Sequence, residues 1–482
     1  MADNLVIVSD KGIGPSHVGY KEYRGFRWTA SGCRVVGGCF LKFIHTSDWH
    51  LGRIFYGVRL TDDQAYVLDQ FVDLVRDESP DAVVIAGDIY DRTAPPVEAV
   101  QLLDETLSRI VLGLGVPVIL IAGNHDSPER LSFGSSLMQT QGLHIIGLPD
   151  MCAPIEISDE HGPVWFVPIP YAEPAVVRDR LCAPDAHDHD TAMKAQFEAA
   201  AAEAINFATA QYGVVGTGEL GEGPGKQKIA WGGMPDAGSP AMRSLFEHSA
   251  AADFSPNIVP WNVRAVAVAH AFVSGGTVSE SERPLSVGGA GMIDISHFLP
   301  FTYTALGHLH RPQTMSETAV RYSGSLLKYS FDEADHSKSV TVVEIDGDGT
   351  PSVRVVSLTP KRDVRKIKGR FEEVMRGPGP GESRHDYISV CLTDREAIWD
   401  AMNRLRAVYP NVMQIVPSED AMADAAESGL VAARVDHRKV TDLELFCDFY
   451  SQVTGEAMSD DEKAAFVAIL EKAQAEKEAA AL

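Results

Sequence analysis

Apolar residues follow two alternating rhythms along most of the chain. Short continuous runs read as buried strands that end in loops: Leu41-Lys-Phe-Ile-His-Thr-Ser-Asp48, Val83-Val-Ile-Ala-Gly-Asp88 and Val118-Ile-Leu-Ile-Ala-Gly-Asn124. Between them the apolar positions move to helical spacing. Ala65, Leu68, Phe71, Val72 and Val75 predict a helix that Thr61 can cap. Further helices are predicted over Val97 to Leu112 and Pro128 to Thr140, and an alanine-rich one over Thr191 to Ala210. Val164 to Pro168, Arg264 to His270 and Thr302 to His308 add strands, and two β runs, Ser339 to Ile345 and Ser352 to Leu358, follow. Strands alternating with helices of this length predict an α/β layered domain with largely parallel pairing.

The rhythm stops in three places. Residues 1–40 have no sustained apolar period, and nine glycines crowd Gly213 to Gly238, an insertion of about residues 211–240. After Thr359 a smaller α+β unit is predicted to about Pro417, and residues 436–482 are helical and charged. A chain of 482 residues is too long for one compact core, so several domains are expected.

Composition narrows the class. The chain is 45% hydrophobic and 23% charged, without an apolar run of the roughly 18 residues that would span a bilayer, and without the features of a secretory signal. Six scattered cysteines with no CxxC pair fit reduced thiols in the cytoplasm. The formal charge of −25 points away from nucleic acid and towards a small-molecule or protein substrate.

The candidate chemistry sits at the strand ends. Asp48-x-His50, Gly87-Asp88, Gly123-Asn124-His125-Asp126, His270 and Gly307-His308-x-His310 each follow a predicted β run. Loops at the carboxyl ends of strands in an open sheet converge on one crevice, so residues over 200 positions apart can meet there. Carboxylate, imidazole and amide oxygens suit Mn²⁺, Fe²⁺ or Zn²⁺, and the lack of thiolate argues against structural zinc. Each piece alone has an ordinary explanation. His270 could be a satisfied core histidine, Asp88 an Asx turn, and Asn124 a residue tolerant of a left-handed backbone. All five pieces together, each at a strand end, are hard to explain that way.

The order DxH, GDxxD, GNHD, H, GHxH resembles the calcineurin-like metallophosphoesterase superfamily. Phe43 to Gly52, Gly87 to Arg92, His270-Ala-Phe-Val, Ser279 to Pro284, Leu306 to His310 and Tyr322 to Ser325 are similar to the SbcD-type double-strand-break repair nucleases. The likeness covers about Leu41 to Pro417 with interruptions, and more weakly the C-terminal helices. It implies a metallophosphoesterase β-sandwich flanked by helices over 41–358, a small α+β capping domain over 359–417, and C-terminal helices over 436–482 that dock on a partner.

Carried over residue by residue, the resemblance implies a first metal held by Asp48, His50, Asp88 and His310. A second would be held by Asp88, Asn124, His270 and His308, with Asp88 bridging ions about 3.5–4 Å apart. His125 would face the scissile phosphate as proton donor, Asp126 would orient it or cap a helix, and Asp91 would support the site. Two divalent ions, Mn²⁺ foremost, against two carboxylates leave a positive site aimed at phosphate, where activated water attacks in line. The resemblance further implies a homodimer, with Leu131, Phe133, Leu137 and Met138 as candidate contacts. It also implies a complex with an SbcC-like SMC ATPase, two copies of each protein, and DNA as substrate in break repair and recombination. Six basic residues between Lys361 and Arg370 would contact the DNA backbone or form a solvated edge strand. Residues 1–40 are expected to be disordered or an over-extended start, because relatives begin near Leu41. The competing expectation is a metallophosphoesterase for a phosphoprotein or small phosphoester; a DNA-end scaffold with a silent site fits the full ligand set poorly.

Overall fold

A computed structural model describes residues 40–212, 264–282, 291–315, 319–394 and 398–418, with Cys447, Met458, Ser459, Glu462, Lys463 and Phe466. Expectations for nearly all of residues 1–40, for most of the glycine-rich insertion and for most of the C-terminal helices lie outside the described residues. The chain divides into two compact units, one ending at Arg365 and one beginning at Lys366.

The first unit is built on two six-stranded sheets. In the first sheet, β1 (Leu41–Thr46), β2 (Ala82–Ala86), β3 (Val118–Ile121) and β4 (Leu143–Ile146) run parallel in that order. In the second, β5 (Ile155–Asp159) and β6 (Gly162–Ile169) form an antiparallel hairpin. Next to β6 lie β7 (Ala265–His270), β8 (Tyr303–Gly307) and β10 (Val320–Tyr322), all parallel, with β9 (Gln313–Thr314) at the edge. The antiparallel β11 (Ser339–Ile345) and β12 (Pro351–Ser357) return to the first sheet beside β1.

Alternation along the strands makes the sandwich. Leu41, Phe43, Val84, Ala86, Ile119 and Ile121 from one sheet share a buried cluster with Phe166, Val266, Val268, Tyr303 and Ala305 from the other. The opposite faces of the strands are also buried, which is why the sequence shows continuous apolar runs. Met193 and Phe197 of the helix His189–Tyr212 cover Val167, Ala267 and Ala269 on the second sheet. The helix Thr61–Glu78 buries Val67, Leu68, Phe71, Val72 and Val75, and Phe71 meets Trp49 edge-on at 5.7 Å. Leu60 is its N-cap residue and makes no side-chain cap bond, so Thr61 is the first helical residue rather than the cap.

Two helix predictions change. The stretch from Val97 is α-helical to Ser108 and then widens into a π-turn, Arg109–Gly113. Pro128 to Thr140 is not one helix: it breaks into Pro128–Leu131 and Ser135–Met138, because Gly134 adopts a left-handed φ of 73°. Of the apolar residues there, Leu131 is buried while Phe133 and Leu137 are 84% and 80% exposed. Among the described residues, no helix is long and apolar enough to cross a membrane.

One buried ion pair ties the sheets together away from the strand ends that carry the candidate residues. Arg264 donates Nη1 to Asp159 Oδ1 at 2.7 Å and Nη2 to Asp159 Oδ2, and Nη2 also reaches the carbonyl of Ile345 in the first sheet at 3.3 Å. Burial alone would raise the Asp159 carboxyl, but Arg264 outweighs it and holds the group below its usual range. Its stabilising effect is therefore present at neutral pH and lost as pH falls through the lowered value. Replacing Arg264 by leucine strands a buried carboxylate and is expected to cost about 3–5 kcal/mol, read by urea unfolding at pH 7.

The second unit is a small α+β fold. β13 (Val364–Gly369) forms the edge of a three-stranded sheet with β14 (Tyr387–Leu392) and β15 (Val412–Pro417), the last two parallel. Phe371, Ile388, Val390, Leu405 and Tyr409 form its core. Much of the basic stretch lies on the edge strand, where Lys366 and Lys368 are exposed, as is Arg370 just after it; Arg362, just before it, is bound through Nε and Nη2 to buried Asp63 at 2.9 and 2.6 Å. Near the end of the chain, Ser459 Oγ accepts from the backbone N of Glu462 at 3.4 Å and the Glu462 carboxylate accepts from Ser459 N at 2.8 Å, a reciprocal capping pair.

Candidate metal centre

The loops after β1, β2 and β3 carry Asp48, His50, Asp88 and Asn124; the end of β7 and the loop after β8 carry His270, His308 and His310. The two sheets approach closely here. A Cβ on Gly307 would stand 1.8 Å from the carbonyl oxygen of Ala86, so only glycine lets the end of β8 meet the end of β2. Asp48, His50, Asp88 and His308 all take positive φ, at 53°, 45°, 51° and 106°. Such backbones are uncommon outside glycine and cluster at functional sites, where the surrounding structure imposes them. Here, bonds from Asp48 N to Gly87 O and from His50 N to Asp88 O, each at 3.0 Å, zip the first two loops together.

The side chains converge. His50 Nε2 and His310 Nε2 face each other at 3.0 Å. The carboxylate of Asp88 lies between two groups, with Oδ2 3.6 Å from His50 Nε2 and Oδ1 3.5 Å from His270 Nε2. Asn124 Oδ1 is 2.9 Å from His270 Nε2 and 3.2 Å from His308 Nδ1. The oxygens of Asp48 accept from the backbone N of His308 at 3.0 and 3.2 Å, and Ser47 Oγ donates to Asp48 Oδ2 at 2.5 Å. Donor atoms of Asp48, His50 and His310, of His50, Asp88 and His125, and of Asp48, Asp88 and His270 lie within 4.8 Å of one another in each trio.

Electrostatics point the same way. Burial is the first cause holding His50 and His308 well below the usual imidazole range, with neighbouring histidines adding to it. Burial also lowers His270 and His310, against the pull of Asp88 and Glu333 respectively. These rings are therefore neutral at pH 7, the form that ligates a metal. Burial and the charge of Asp88 push Asp48 well above the carboxylate range. Two buried carboxylates, an amide oxygen and four neutral imidazoles fit divalent cations: a cation removes the repulsion between Asp48 and Asp88 and uses the facing lone pairs. The ring atom His50 Nδ1 is buried without a hydrogen-bond partner, 3.8 Å from Asp91 Oδ1.

The three remaining candidates sit around this cluster. His125 is half-buried, its backbone N donates to Asp88 Oδ1 at 2.9 Å, and its Nδ1 donates to the carbonyl of Asp91 at 2.8 Å. The side chain of Asp91 accepts from Arg53 Nη1 at 2.8 Å and stands 3.8 Å from His50 Nδ1. Asp126 accepts from the backbone N atoms of Gly123, Ile89 and Tyr90 at 2.9, 3.1 and 2.9 Å. Its carboxylate thus binds two ligand-bearing loops together, a different arrangement from orienting the His125 ring or capping a helix. Burial and Asp88 push Asp126 up to about 7 despite those three donors. Sequence reasoning gave no role to Ser47, nor to Glu282, whose Oε1 accepts from His310 N at 2.7 Å. The Ser279 to Pro284 string was the available signal for the second.

Residues 41–173 match the family model described as calcineurin-like phosphoesterase, and residues 360–454 match one described as type 5 capsule protein repressor C-terminal domain, of SbcD type. A curated relative from Staphylococcus epidermidis, the D subunit of the nuclease SbcCD, is 29% identical over 420 residues, covering 87% of this chain and 95% of its own. Residues 41–173 thus resemble a calcineurin-like phosphoesterase, and the chain over most of its length resembles SbcD. Two solved structures also align. A Thermus thermophilus protein does so with TM-score 0.29 and 11% identity, covering 66% of this chain and 99% of that one. A dimetal phosphatase from Danio rerio does so with TM-score 0.32 and 14% identity, covering 65% and 98%.

Proposed function

We propose that the chain is a two-metal DNA nuclease, with Mn²⁺ as the preferred ion, that trims duplex ends 3′ to 5′ and cuts single strands and hairpins. The observation that carries the reading is the placement of Asp88, one oxygen towards His50 and the other towards His270. Asp48, His50, Asp88 and His310 would hold one ion, and Asp88, Asn124, His270 and His308 the other. The ions would supply charge stabilisation to the phosphate oxygens and lower the pKa of attacking water. His125 donates Nδ1–H to the Asp91 carbonyl, which turns Nε2 outward; a ring that has also taken up a proton on Nε2, as imidazolium, can give that proton to the leaving oxygen. Asp126 holds the loops that present Asp88 and Asn124, and Asp91 braces Arg53 beside His50.

The relative's name supports a nuclease that works as one part of a complex. In this reading, two copies of the chain join two copies of an SbcC-like SMC ATPase in break repair and recombination in the cytoplasm, and the partner shares the DNA surface. Exposed Phe133 and Leu137 support pairing of the two copies, and sedimentation as a monomer at micromolar concentration would count against it. The acidity of the chain, −25, favours the second reading, a phosphoesterase for a phosphoprotein or small phosphoester. Cleavage of blunt and hairpin duplexes with Mn²⁺, with and without the ATPase and ATP, against hydrolysis of a nitrophenyl phosphodiester, separates the two. Deleting residues after Asp436 is expected to abolish co-purification with the ATPase while Mn²⁺ binding survives; an unchanged complex would place those helices in the nuclease's own fold.

A further inference from the structure

Behind His310, on the side away from His50, lies a buried polar chain that includes none of the other proposed ligands. His310, Ser281, Glu333, Lys338 and Ser325 are each no more than 8% exposed. Ser281 Oγ is 2.6 Å from His310 Nδ1 and also donates to Glu333 Oε1, which itself lies 3.3 Å from the same ring nitrogen. Glu333 Oε2 accepts from Lys338 Nζ. The two remaining hydrogens of Lys338 go to the carbonyl of His310 at 2.8 Å and to Ser325 Oγ at 2.9 Å. Such a buried charge pair is retained at a desolvation cost, and its hydrogen bonds leave few alternatives.

Counting hydrogens fixes the ring. Lys338 has three and uses all three. The Glu333 carboxylate, paired with that ammonium, can only accept. The one hydrogen of Ser281 Oγ must therefore lie towards Glu333, since otherwise two oxygens would face each other with none between. Ser281 Oγ is then left only as an acceptor towards His310, so the ring proton sits on Nδ1. With Nδ1 protonated, Nε2 carries the free lone pair, and it is Nε2 that stands 3.0 Å from His50 Nε2.

We propose that Ser281 and Glu333, anchored by Lys338, are positioning residues that lock His310 in the Nδ1–H tautomer and aim its Nε2 at the first metal position. This rests on the two-metal reading of the site. The chain also holds His310 at both ends: Lys338 grips its carbonyl while Glu282 accepts from its backbone N, so ring and backbone are fixed by one segment and its neighbour. Outer partners of this kind are typically worth roughly 10–100-fold in metal affinity.

The test uses the full-length chain, histidine-labelled with ¹⁵N and stripped of metal, with the His310 signals assigned by their loss in His310→Gln. The expected result is the Nδ1–H tautomer in the parent chain, and a mixed tautomer in Ser281→Ala and in Glu333→Gln/Lys338→Met, the latter replacing the ion pair without stranding a charge. Titration with MnCl₂ is expected to show one of two ions weakened, by roughly tenfold in the first variant and towards 100-fold in the second, with Ser281→Thr restoring the parent value. An Nε2–H tautomer in the parent chain overturns the proposal, as does unchanged affinity for both ions in both folded variants. A parent chain that binds no Mn²⁺ sinks the two-metal reading instead, and the tautomer measurement still stands by itself.

Discussion

Alanine at Asp88 is expected to leave a folded chain that holds neither divalent ion tightly and cleaves phosphodiesters more than about 10⁴-fold slower, beyond the range of a lost proton donor. The carboxylate is placed towards both halves of the cluster, with Oδ2 facing His50 and Oδ1 facing His270. Its Oδ1 also accepts from the backbone of His125, so its loss removes one of the bonds that hold the GNHD loop. Two neighbouring carboxylates are tied elsewhere, Asp48 by the His308 backbone and Asp126 by three amides. Metal analysis after gel filtration decides the matter. Two ions retained by Asp88→Ala would show that the bridging assignment is wrong. The backbone at Asp88 is left-handed, so Asp88→Asn, which tolerates that conformation, is the control that separates lost charge from lost shape.

His125→Ala is expected to behave in the opposite way: both ions stay and cleavage falls by roughly 10²–10⁴. All seven proposed ligands survive that change. What is lost is a half-buried ring anchored through Nδ1 to a carbonyl, standing edge-on to His50 with centroids 4.7 Å apart. The loss should be in turnover and not in metal content. It should also be smaller for substrates whose leaving group needs no proton, such as a nitrophenyl ester. A metal-free His125→Ala protein would make His125 a ligand and reverse the assignment.

These experiments rest on residues that the sequence made visible to different degrees. The seven proposed ligands stand out because each follows a buried β run, and in this fold strand ends are where two sheets expose their loops. Periodicity did not reveal that there are two sheets. A run such as Val164 to Pro168 is apolar on both faces whichever sheet it joins, and only the core shared by Phe43, Phe166 and Tyr303 makes the layering plain. The hairpin partner Ile155–Asp159 escaped notice because it has only two large apolar residues, Ile155 and Ile157, with Glu156, Ser158 and Asp159 between and after them. Local chemistry misled in two places. Thr61 looks like a cap, yet Leu60 fills that position, and Gly134 breaks a helical pattern that its neighbours support. The least legible group was Glu333 with Lys338, since a glutamate five residues before a lysine reads as a solvated pair until both prove to be buried.

The ligands are divided between the layers, with Asp48, His50, Asp88 and Asn124 on one sheet and His270, His308 and His310 on the other. Bound ions would therefore act as clasps across the seam of the sandwich. No fragment containing a single leaf could present either full set, so metal uptake reports that the whole first unit has closed. Ligand binding to the closed form alone stabilises by mass action, about 2.7 kcal/mol at a hundredfold excess over Kd. Melting temperature measured against Mn²⁺ concentration then becomes a gauge of site integrity that needs no DNA, no partner and no turnover.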